Sequence, residues 1–180
     1  RRLKVERFFL GEREYVLYPE RDYRRVEALF AAMESTSIAE YLRMSRWGYA
    51  AVSALHILGI GLLLGSILPF NLHSLGLWRN VPRVFLAQVL LPVAATGLAL
   101  AIITGTLLFS VKAQDYSEIL VLQIKVVLVA VATLSALLLH RADGLSLQHT
   151  AETRLRMHAA LSTACWLGAL ACGRSIAFVE

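Results

Sequence analysis

Four long apolar runs constrain this chain more than any other feature. They cover residues 47–70, 84–111, 119–139 and 157–179. Each exceeds the roughly 20 residues a helix needs to cross about 30 Å of hydrocarbon at about 1.5 Å per residue. Membrane strands alternate with period two, and none of these runs does, so strands are excluded. The expected fold is all-α: a four-transmembrane-helix bundle at residues 47–180, behind a charged extramembrane N-terminal arm at residues 1–46.

Composition agrees with that division. Residues 1–46 hold ten Lys or Arg and eight Asp or Glu; the other 134 residues hold eight and five. Apolar residues make up 57% of the chain and charged residues 17%, which excludes a disordered chain and a soluble nucleic-acid binder. The net charge of +5 is read as basic residues beside anionic lipid, with no nucleic acid involved.

Four spans put both termini on one side, side X. Beside the spans, Arg43, Arg46, Lys112 and Arg174 fall on side X, and Arg79, Arg83, Arg141, Arg154 and Arg156 on the opposite side Y. Adding the arm's eight other basic residues tips the balance, and the positive-inside rule then places the termini in the cytoplasm. Within the arm, residues 8–18 suit a short hairpin or an extended docking segment. Residues 20–33 suit a helix with Val26, Leu29, Phe30 and Met33 on one face, and residues 35–46 a second helix.

Inside the spans, Pro69 is expected to close the first and Pro92 to kink the second. Gly61 and Gly65, and the series Ala164, Gly168 and Cys172, suit close helix contact. Cys165 and Cys172 read as small packing residues.

Two groups of side chains could carry chemistry. His73, His140 and His158 lie at matching depth on side Y, with Met157 beside the last. Imidazole and thioether donors suit copper or a b-type haem; the plain alternative is histidines at headgroup depth. The second group lies inside the bilayer: His56, Thr104, Lys125 and Arg174. His56 is roughly 14 Å and Lys125 roughly 9 Å from side X. Ionisable residues at such depth usually face the bundle interior. They suit a proton or ion relay, or a site for a bound lipid headgroup or a quinone; the plain alternative is snorkelling to the interface. Lys125 is expected to face the interior. No soluble-enzyme signature is present, and no residue is assigned a catalytic role.

The motifs also resemble a known family. Leu55-His56-Ile57-Leu58-Gly59, Asn71-Leu72-His73-Ser74-Leu75-Gly76, Thr104-Gly105-Thr106-Leu107-Leu108-Phe109, Ala113-Gln114-Asp115-Tyr116, Lys125 and Gly173-Arg174-Ser175-Ile176-Ala177-Phe178 together resemble a family of uncharacterised four-helix bacterial integral membrane proteins. That family is distantly similar to the membrane domain of copper-resistance protein D, a likeness that hints at copper or redox chemistry. The resemblance covers about residues 38–179 and implies a bacterial inner-membrane location. Asn71 and His73 depart from it, standing where the family carries Asp and Arg. Residues 1–32 have no counterpart, so the arm reads as an addition that contacts other membrane-protein subunits.

Two functions therefore compete: an accessory, mainly structural subunit of a larger respiratory or photosynthetic complex, and a copper-handling or b-type haem protein using the side-Y histidines. A small transporter working through His56 and Lys125 is a third, weaker reading, because four spans without repeats do not suit it.

Overall fold

The computed structural model describes the backbone of residues 7–10, 13–16, 20–78, 80–143 and 151–179. A hairpin of β1 (Arg7–Leu10) and β2 (Arg13–Val16) pairs antiparallel, Arg7 opposite Val16. The rest of the described chain is helical: α1 (Glu20–Glu34), α2 (Ser37–Met44), α3 (Arg46–Leu75), α4 (Arg83–Ser110), α5 (Ala113–Ser117), α6 (Leu120–Asp143) and α7 (Glu152–Val179). Three of these, α3, α4 and α6 up to Leu139, are long and apolar enough to cross a membrane. The chain is thus a multi-pass membrane protein by length and composition. Helix α7 is also long, 28 residues, but Arg154, Arg156, His158 and Arg174 make it more polar than the other three.

Several boundaries differ from the sequence reading. The first span does not stop at Pro69; α3 runs through it to Leu75. Proline removes only one backbone bond, whereas ending the helix there would leave four carbonyls unpaired. The stop is Gly76, left-handed at φ 116°, with Gly76 N–H donating to His73 O and Leu77 N–H to Leu72 O. This double bond over a glycine is the usual helix-closing arrangement. The expected helix over 35–46 is shorter, because Ser45 breaks it and caps α3 by accepting from Gly48 N–H at 3.0 Å. Helix α7 starts at Glu152, one turn before the expected span.

Packing follows the order α4, α3, α7, α6: α3 lies against α4 on one side and α7 on the other, and α6 against α7. Among the described residues α4 and α6 make no close backbone approach. Each helix turns a stripe of small or apolar residues inward at three- and four-residue spacing. One core group joins Leu63, Ala94, Ala132, Cys165 and Trp166, with Leu98 and Leu128 against it; a second joins Phe70, Ala87, Leu139 and Leu155. Outward, Ile57, Phe85, Val89, Ile103, Val126, Val127 and Leu138 are exposed, as a lipid-facing surface requires.

The tightest crossing is not where the Gly61-xxx-Gly65 pair suggests. Both those glycines face open space. Gly59, on the opposite face of α3, meets Gly97 and Ala101 of α4 instead.

The arm rests on its own bundle. Helix α1 packs on α5 and α4, and α2 on α3 and α4. Phe30 meets Phe109 edge to face at 5.7 Å between centroids. Glu34 Oε1 accepts from Gln114 N–H at 2.8 Å, capping α5, while Arg43 donates to the Glu34 carbonyl. Helices α1 and α2 are thus braced by the bundle of their own chain.

Candidate functional site

The inward stripes place polar side chains in two layers. In the half where α3 begins, His56 Nδ1 lies 3.0 Å from Thr104 Oγ1. Thr104 Oγ1 also sits 2.6 Å from Leu100 O, and a carbonyl can only accept. Its proton therefore goes to Leu100, so His56 Nδ1–H donates to Thr104. Gly105 makes room for the ring: a Cβ there would stand 3.0 Å from His56 Cε1. Lys125 falls on the inward stripe of α6 with Leu128, Val129, Ala132 and Leu139. Its ammonium reaches α7 at Gly173, where a Cβ would stand 3.2 Å from Nζ. Lys125, His56 and Thr104 thus face inward from three helices. Arg174, one residue beyond Gly173, is exposed.

In the other half, Asn71 is 4% exposed and its Nδ2 donates to Ser162 Oγ at 3.0 Å and Thr163 Oγ1 at 3.2 Å, tying α3 to α7. Ser135 Oγ and His158 Nδ1 lie 2.8 Å apart, tying α6 to α7. A cleft of about 40 Å³ opens among Asn71, Ser74, Ser135, His158 and Ser162. It has room for a water molecule or two and is far too small for a porphyrin. His73, expected just past the first span at residues 47–70, is buried in the last turn of α3, which runs on to Leu75. Its Nε2–H donates to Val81 O at 2.8 Å and pins the α3–α4 turn. Its Nδ1 is buried without a partner.

Of the copper or haem donors, His73, His158 and Met157 are described, and they form no ligand group among the described residues. Met157 is 68% exposed and turned outward. One ring nitrogen each of His73 and His158 is committed within the protein. The His140 backbone belongs to α6, and its imidazole lies outside the described residues. Among the described residues no three His, Cys, Asp or Glu side chains come together as metal ligands.

The two polar layers are separated by Leu63, Ala94, Leu98, Leu128, Ala132 and Trp166. The sequence reading groups His56, Thr104, Lys125 and Arg174; the structure joins His56 to Thr104 and sets Lys125 over Gly173, and Asn71, Ser135, Ser162 and Thr163 were not read as a set. Their spacing with buried apolar positions was the available signal: Ser135 lies three residues after Ala132, and Ser162 three before Cys165.

No family model matches this chain, and neither a curated protein nor a solved structure matches it.

Proposed function

We propose that this chain is a four-span protein of a bacterial inner membrane, with cytoplasmic termini, serving as an accessory and mainly structural subunit of a larger respiratory or photosynthetic complex. The observation that carries this reading is how the interior polar groups are spent. Asn71, His158, His56 and His73 clamp helices or turns, and an apolar layer interrupts any polar path between the two halves. Such an interior holds a shape and does not conduct. Helix α7 supplies the fourth span: it turns Met157, Leu161, Leu167 and Leu170 outward, as a lipid-facing helix does. The resemblance to four-helix bacterial membrane proteins supports the same architecture. Helices α1 and α2 brace the bundle, and the hairpin pairs only with itself among the described residues, which leaves it for contact with other subunits.

Native mass spectrometry of the assembly released from its own membranes, together with its visible spectrum, tests this. The expected result is a chain held in a complex with defined stoichiometry. A monomer carrying one haem or one copper would overturn it in favour of the second reading. That reading, copper or a b-type haem at the side-Y histidines, draws on the buried, unpartnered Nδ1 lone pair of His73.

A further inference from the structure

The Lys125 ammonium lies against the backbone of a neighbouring helix. Lys125 lies five residues into α6, about 8 Å from its start, and Gly173 six residues before the end of α7, about 9 Å from it. The two helices run antiparallel, with Leu128 against Gly168 about one turn further in. The Lys125 stem crosses to α7, with Nζ, Cε and Cδ all within 4 Å of the position a Gly173 Cβ would take. The missing Cβ is what lets the ammonium sit there.

That ammonium has no hydrogen bond and no carboxylate partner among the described residues. It is half-buried in an apolar span, between Leu128 on its own helix and the α7 backbone. A cation so placed requires an acceptor, since leaving it unmatched costs several kcal/mol. Beside Gly173 the helix offers it a thiol, Cys172, which is no counter-charge. The unmet requirement is for an oxyanion.

We propose that Lys125, lying over Gly173, is the anchor of a binding site for an oxyanion headgroup, that of an anionic lipid entering between α6 and α7 from the end where α3 begins. Basic positions between spans on the cytoplasmic side are where phosphate-bearing headgroups are held. The depth suits an amphiphile, whose chains follow the exposed Ile124, Val127 and Val131 down α6 while its head meets the ammonium. The site does not depend on the accessory-subunit reading.

The test uses the full chain in detergent, with phosphatidylglycerol, phosphatidylcholine and inorganic phosphate as probes. Native mass spectrometry counts retained lipid, and thermal unfolding reads stabilisation. The expected result is about a five- to tenfold preference for phosphatidylglycerol over phosphatidylcholine. It is lost in Lys125→Met, kept in Lys125→Arg, and unchanged in Lys112→Met, which removes a charge from the nearby turn. Stabilisation by phosphate alone, also lost in Lys125→Met, would support the same oxyanion site with a free anion as its source. Equal retention of the two lipids by the unaltered protein, with no response to phosphate, would overturn the proposal. So would a preference that survives in Lys125→Met. Should Lys125→Met fail to fold, the lipid preference of the unaltered protein and of Lys125→Arg still decides.

Discussion

Gly97 of α4 stands so close to α3 that a Cβ on it would lie 2.5 Å from the Leu63 amide nitrogen and 2.8 Å from the Gly59 carbonyl oxygen. Both contacts are backbone, which cannot swing aside as a side chain can. Gly97→Ala should therefore push α3 and α4 apart and cost about 1–3 kcal/mol. A lowered thermal midpoint in detergent checks this. Gly61→Ala and Gly65→Ala, which meet nothing within 4 Å, should leave the midpoint where it is.

Asn71→Leu should weaken the α3–α7 clamp. It removes two hydrogen bonds from a buried amide, while Thr163 keeps its bond to the Ala159 carbonyl at 2.8 Å. Interhelical bonds of this kind contribute about 0.6 kcal/mol each on average, so a loss near 1 kcal/mol is expected. Comparing unfolding of Asn71→Leu, Ser162→Ala and the double variant measures the coupling; strict additivity would deny the clamp.

The docked arm should loosen when its anchors to α4 and α5 are removed. Glu34→Ala deletes the acceptor for Gln114 N–H, and Phe30→Ala the ring against Phe109. Losing a helix-capping acceptor costs about 0.5–2 kcal/mol. Amide exchange should rise in residues 113–117 in both variants, with the inner stretch of α3 around Leu63 unaffected. Unchanged exchange at α5 would show that the arm is held elsewhere.

Orientation has its own test. With four spans and cytoplasmic termini, a cysteine at Gln148 in the α6–α7 connection should react only with reagents on the non-cytoplasmic side. Labelling from the cytoplasm alone would reverse the topology. The native thiols are poor competitors, because Cys165 is buried and Cys172 is partly covered.

Exchanging His73 should act on the turn. His73→Ala removes the donor to Val81 O and leaves that carbonyl unpaired beside the buried end of α3. A cost of about 0.5–1.5 kcal/mol is expected, since the bond is only part-buried and water can reach the exposed Val81. His73→Gln, which can still donate, should recover part of it in the same unfolding measurement.

Much of this protein was legible in the residues alone. Apolar runs of 21 or more residues are long enough to span a bilayer and too long for membrane strands, and α3, α4 and α6 lie where those runs are. Lys125 facing inward was legible too, since a charge deep in a span is costly anywhere else. Helix ends were not. Pro69 reads locally as a stop, yet the helix continues, because a membrane helix loses less at one proline than at an open end. Nor did pair motifs identify the contact: Gly59 meets Gly97 while Gly61 and Gly65 stay outside, since a glycine's neighbour depends on which face the whole helix turns to its partner. The same holds for the histidines. Equal depth along three spans said nothing of rotation about each helix axis, and that rotation turned Met157 outward, His73 onto the Val81 carbonyl and His158 onto Ser135. Composition and length determine how far along the membrane normal a residue sits. The angle about the helix axis, and with it every cross-helix partner, is decided only when the inward stripes pack against one another.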